Sequence, residues 1–138
     1  MGRRFPEYRD FEAYAVEEFR EFWSLFLGWS RVPVSGSTSP VCDGALCERA
    51  RFFPNLRLNY AEALLTGRDG DGPALTACHP HRPDEELTRS ELCRRVIALA
   101  NAIRRLGIRP GDRVAAVARN NAEAVVAALA AAAIGAVF

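Results

Sequence analysis

The stretch Leu87-Thr88-Arg89-Ser90-Glu91-Leu92-Cys93-Arg94-Arg95-Val96-Ile97-Ala98-Leu99 opens the clearest helix in the sequence. Thr88 with Glu91 has the spacing of a capping box, in which a hydroxyl accepts from an otherwise unpaired helix amide and the carboxylate bonds back. Leu92, Val96, Leu99, Ile103 and Leu106 then recur at steps of four, three, four and three, so they share one helical face. Gly107 predicts its end. Downstream, Ile108-Arg109-Pro110-Gly111-Asp112 reads as a turn, and Arg113-Val114-Ala115-Ala116-Val117-Ala118 as a strand. Asn120 with Glu123 predicts a second cap, for a helix running to about Ala133, and Ile134 to Phe138 opens a further strand. Upstream, Ala74 to Cys78 reads as a short apolar strand, and the polar run His79 to Asp84 turns the chain back toward Glu86 and Leu87. Helices alternating with short apolar strands predict an α/β fold, with an incomplete, mostly parallel sheet flanked by helices.

The residues before this stretch have a different texture. Phe11, Tyr14, Ala15, Phe19, Phe22, Trp23, Phe26 and Leu27 form a helical stripe, which predicts one amphipathic helix over 9–28 closed by Gly28. Such a stripe suits docking onto a larger body better than a cofactor box. Residues 29–58 contain a run rich in Pro, Gly, Ser and Thr and read as a long loop. Asn59, three residues before Glu62, predicts a short helix over 59–66 closed by Gly67, and Arg68 to Pro73 reads as a turn.

Composition narrows the function classes. The chain has 138 residues, with 18 basic side chains against 17 acidic, and all 18 are arginine. No lysine for phosphate binding, a Schiff base or general base catalysis can come from these residues. A net charge of +1 gives no basic field of the kind nucleic-acid binding needs. The start, Met1-Gly2-Arg3-Arg4-Phe5-Pro6, leads into acidic amphipathic sequence, not an apolar signal core. Ala124 to Phe138 carries few polar atoms, but it is shorter than the roughly 20 residues a membrane span needs. The expectation is a cytoplasmic protein with reduced thiols and no membrane contact. The apolar end at Phe138 carries the further expectation that more sequence follows.

Candidate chemistry is sparse. Cys78-His79-Pro80-His81 groups soft and imidazole ligands, and Cys93 or the Cys42/Cys47 pair would have to complete a metal site. The preferred reading is a buried strand cysteine followed by two solvated turn histidines, because no C-x-x-C pair accompanies it. No G-x-S-x-G nucleophile elbow occurs. Gly67 to Gly72 is followed by proline and a strand, where a phosphate cradle would open a helix. Asp84, Glu85 and Glu86 read as a solvated corner. No catalytic, cofactor-binding or metal-ligating residue is therefore assigned.

Three segments together resemble the beginning of the AMP-forming acyl-CoA synthetases, the adenylating superfamily. Leu87-Thr88-Arg89-Ser90-Glu91-Leu92 is similar to its first core motif, Leu106-Gly107-Ile108-Arg109-Pro110-Gly111-Asp112-Arg113-Val114 to its LGV-x-x-GDRV turn, and Ala133 to Phe138 to the opening of its second core motif. Arg51-Phe52-Phe53-Pro54 with Leu58-Asn59-Tyr60-Ala61-Glu62 resembles the short-chain branch, the acetoacetyl-CoA synthetases first and the acetyl and propionyl enzymes next. Phe52 stands for the usual tryptophan, Asn55 for glycine, Ala63 for asparagine and Arg119 for proline.

The resemblance implies that 1–72 are an N-terminal extension and 73–138 the first part of the adenylation domain. It implies a parent ligase that joins acetoacetate or a similar short acid to CoA, using ATP and Mg. In that family the phosphate loop, adenine segment, ribose-binding aspartate and mobile C-terminal domain lie outside any match to these residues. The expected partners are thus the remainder of the adenylation domain and that C-terminal domain. The chain alone is expected to be a scaffold without catalysis, binding none of these cofactors. The alternative is an interaction module complementing a separately encoded remainder.

Overall fold

The structure, a computed structural model, describes residues 3–66, 72–81 and 83–138. The chain divides into two compact units, Met1–Leu58 and Asn59–Phe138.

In the first unit, the expected single helix is two. Helix α1 spans Tyr8–Glu17 and α2 spans Phe19–Ser30, with Glu18 between them at φ −105° and ψ 38°. The physical reason is aromatic packing. On a straight helix Phe11 and Phe22 would sit about 16 Å apart along the axis, whereas their ring centroids are 5.9 Å apart in an edge-on contact. The break folds one aromatic face onto the other. Phe5 joins this cluster against Phe11 and Tyr14, and Phe52 packs on Phe19 and Trp23 at 6.0 and 5.3 Å. Gly28 is not the terminator: α2 continues to Ser30, whose hydroxyl donates to the Leu27 carbonyl, and Arg31 takes the left-handed conformation at φ 52°.

Nor is 29–58 wholly loop. Strands β1 (Val34–Gly36) and β2 (Leu56–Leu58) pair antiparallel, Val34 opposite Leu58, and a 3-10 turn covers Cys47–Arg49.

The second unit begins with α3 (Tyr60–Leu65), capped by the Asn59 side chain, which accepts from the Glu62 amide. Gly67 and the turn residues 68–71 lie outside the described residues. Strand β3 (Pro73–Ala77) pairs antiparallel with β4 (Glu85–Thr88), a strand where the sequence predicts only a return toward Glu86 and Leu87. Leu87 of β4 is almost completely buried. Helix α4 (Arg89–Arg105) starts as expected, with the Thr88 hydroxyl accepting from the Glu91 amide at 3.2 Å. The Glu91 carboxylate takes the Arg95 guanidinium at 2.9 Å, and Arg95 also donates to Glu85 at 3.0 Å, tying α4 to β4. Gly107 follows the helix at φ 90°, a conformation that glycine takes without a Cβ penalty. Leu106 leaves the apolar face and is exposed, because the chain unwinds into this turn.

Helix α5 spans Ala122–Ala133, and its cap is Asn121 instead of Asn120: Asn121 Oδ1 accepts from the Ala124 amide. Leu92, Val96 and Ala100 of α4 and Val126, Leu129, Ala130 and Ala131 of α5 build the core with Ala61, Ala77 and Leu87. Residues 113–118 do not form a ladder. Arg113 makes one parallel bridge with Val137, through Val114 N to Val137 O and Val137 N to Asp112 O, both 2.8 Å. No strand among the described residues lies beside 115–118, and Val117 is fully exposed. The α/β class stands, while among the described residues the laddered pairs are antiparallel and parallel pairing is confined to that bridge.

Asn59 reaches across this unit, its Nδ2 donating to the Ala133 carbonyl at 3.0 Å. Asn59→Ala removes both the cap and this bond, and urea unfolding should show a loss of about 2 kcal/mol. Asn59→Ser, which keeps a capping oxygen, should lose only part of that; an unchanged stability in Asn59→Ser would discount the Ala133 bond, and equal losses for the two variants would discount the cap. Gly135 sits at φ 78°, and a Cβ there would meet Pro110 Cβ at 3.2 Å. Gly135→Ala should therefore cost about 1–2 kcal/mol by the same measurement, and an unchanged midpoint would contradict the close approach.

Candidate functional site

Two structural features gather the residues with chemical potential. The first is the interlock of the turn Ile108–Asp112 with the chain after α5. The Gly111 amide donates to the Gly135 carbonyl at 2.9 Å, Arg109 N donates to Asp112 Oδ2 at 2.7 Å, and Ala136 N returns to Ala131 O at 3.0 Å. Segments separated by more than 20 residues in sequence are thus fixed backbone to backbone. The segment between them carries Arg119, Asn120 and Asn121 to the entrance of α5.

The second feature is a cleft of about 380 Å³, lined by Cys78, His79, Pro80 and His81 together with Arg119, Asn120 and Asn121. The β3–β4 turn supplies the first set and the entrance of α5 the second. Cys78 is exposed, contrary to the expected buried strand cysteine. Side chains alternate along β3, and Ala77 is the one facing the core. His79 is half-buried and His81 exposed. Asp84 stands behind this turn, accepting from the His79 amide at 3.0 Å. Its negative charge and hydrogen bond push the Cys78 thiol pKa above the ordinary range, with a smaller contribution from desolvation.

The structure separates the other candidates. Cys42 and Cys47 belong to the first unit, and Cys93 lies half-buried on α4, lining a groove shared with α3. Asp84, Glu85 and Glu86 part company: Asp84 holds the His79 amide, Glu85 holds Arg95, and Glu86 is exposed. Among the described residues no three His, Cys, Asp or Glu side chains come together in a way that could hold a metal ion. With no lysine in the sequence and no such carboxylate group among the described residues, the described residues do not fit Mg-ATP.

Sequence reasoning did not join Arg119 to the histidine turn. The two are about 40 residues apart and share no spacing pattern. A signal existed in Asn120-Asn121: one asparagine caps the helix and the neighbouring one is left over.

In the first unit, a wholly apolar cavity of about 260 Å³ lies among Trp23, Phe26, Phe52, Phe53 and Leu56. Phe53 there has φ 45°, a left-handed conformation that bulky residues rarely adopt. No helix among the described residues is long and apolar enough to cross a membrane.

Residues 66–138 match the family model described as AMP-binding enzyme. The acetoacetyl-CoA synthetase of Gallus gallus is 36% identical over 140 residues, covering 99% of this chain and 21% of that protein. The acetoacetyl-coenzyme A synthetase of Rhizobium meliloti (strain 1021) is 38% identical over 140 residues, covering 100% and 21%. A solved structure, acetoacetyl-CoA synthetase from Streptomyces lividans, superposes with a TM-score of 0.87 at 36% identity, over 96% of this chain and 21% of that one. The chain thus spans about a fifth of the length of the relatives it matches. The LTRSEL helix start and the interlocked Gly111 and Gly135 turns lie inside the matched region, and the chain belongs to the AMP-binding enzyme family.

Proposed function

We propose that these residues are the N-terminal part of an AMP-forming acid–CoA ligase acting on acetoacetate or a similar short carboxylic acid. In that ligase a carboxylate oxygen attacks the ATP α-phosphate and expels pyrophosphate. The CoA thiol sulfur then attacks the acyl carbon of the adenylate and expels AMP. Residues 1–72 would be the extension and 73–138 the first part of the adenylation domain, in a cytoplasmic enzyme. The remainder of that domain and the mobile C-terminal domain would supply the groups for turnover with ATP, Mg and CoA. The contribution of this chain is a scaffold.

The observation that carries this reading is likeness along nearly the whole chain to acetoacetyl-CoA synthetases. Asn59 has a specific job in this structure, since it ties α3 to the end of α5. The lysine-free sequence supports the scaffold role, because family chemistry that depends on lysine must draw it from elsewhere.

Two measurements test the reading. The purified 138-residue chain with acetoacetate should give ATP–pyrophosphate exchange at the level of a no-protein control, and exchange above that level would overturn the scaffold role. Replacing the matched fifth of the Streptomyces lividans enzyme by this chain should leave AMP release dependent on acetoacetate. A folded chimera that releases AMP with acetate or propionate and not acetoacetate would place the chain in another branch.

A further inference from the structure

Arg119 makes no ion pair among the described residues, although it lines the same cleft as two imidazoles and two carboxamides. We propose that the cleft between the β3–β4 turn and the entrance of α5 binds a phosphate-type oxyanion, with Arg119 as its fixed cation.

The donor set fits that class. A guanidinium has five N–H donors and no acceptor, and it matches a tetrahedral oxyanion through paired bonds. His81, exposed at the rim of the cleft, adds imidazole N–H donor capacity. Asn120 is not spent on helix capping, which Asn121 performs. Among the described residues no carboxylate lines the cleft. Asp84 keeps its negative charge while accepting from the His79 amide and acting on Cys78, so the Arg119 guanidinium has to outweigh it, and Glu123 is exposed in the first turn of α5. The Cys78 thiol, pushed up by Asp84, stays a neutral S–H near neutral pH and brings no negative charge.

The same inventory argues against the metal reading of Cys78-His79-Pro80-His81, since a fixed guanidinium cation repels a metal ion in the same cleft. At about 380 Å³ the space admits more than one phosphoryl group. The proposal stands apart from the ligase reading, because it concerns equilibrium binding by this chain and involves no turnover.

The test is ¹⁵N–¹H NMR of the 138-residue chain titrated with sodium phosphate, sodium pyrophosphate, sodium acetoacetate and zinc chloride, each against sodium chloride at equal ionic strength. Saturable shifts at the His81, Asn120 and Asn121 amides are expected with phosphate, at lower concentration with pyrophosphate, and not with chloride. Arg119→Ala should weaken phosphate binding about tenfold, and Arg119→Lys should weaken it less. Arg119 is exposed, so the rest of the spectrum should be retained; if it is not, His81→Ala is used and should also weaken binding. Any of four results overturns the proposal: no saturable shift with phosphate; unchanged affinity in the folded variant; acetoacetate binding as tightly as phosphate; or stoichiometric zinc binding at these residues.

Discussion

One side-chain amide holds the second unit in register. Asn59 accepts from the Glu62 amide, giving α3 its first fixed turn, and donates to the carbonyl of Ala133, 74 residues later. That carbonyl is among the last of α5, which helix geometry leaves without an internal partner. A residue with an acceptor alone, or a donor alone, could perform only half of this. From Ala133 the chain passes through Ile134 to Gly135, whose left-handed backbone lets Pro110 approach and lets Gly111 bond its carbonyl. The beginning of α3, the end of α5 and the turn after α4 are thereby one connected path of hydrogen bonds.

The core is built around that path with small side chains. Five alanines, Ala61, Ala100, Ala122, Ala130 and Ala131, are no more than 5% exposed, so α3, α4 and α5 pack with little side-chain bulk between them. The larger members Leu87, Leu92, Val96, Val126 and Leu129 fill the remainder. None of the described buried residues is polar or charged. None of the described arginines is therefore buried, and Arg95 bridges β4 and α4 through two carboxylates. At this partial exposure the pairing contributes about 1 kcal/mol or less.

What was legible in the sequence is what local chemistry controls. Asn59 and Thr88 announce their helices because a cap and the amide it satisfies lie three residues apart, and Gly107 announces an end because its backbone must turn left-handed. Where two neighbours could both cap, as with Asn120 and Asn121, spacing alone favoured the wrong one. Non-local choices were hidden. The break at Glu18 is decided by Phe11 meeting Phe22, and the β1–β2 pair joins residues across a long Pro- and Ser-containing connection. Strand β4 was obscured because Glu85, Glu86 and Thr88 surround one buried leucine. The cleft was hidden for the same reason: His81 and Arg119 line it from two segments far apart in sequence.

Hydrogen exchange tests most directly the claim that these turns and helix ends form one cooperative unit. The amides of Glu62, Gly111, Val114 and Val137 should exchange together, with protection close to that of the α4 core amides around Val96, and Asn59→Ala should lower all four in parallel. Exchange of Gly111, Val114 and Val137 by an independent early opening, unaffected by Asn59→Ala, would contradict the account.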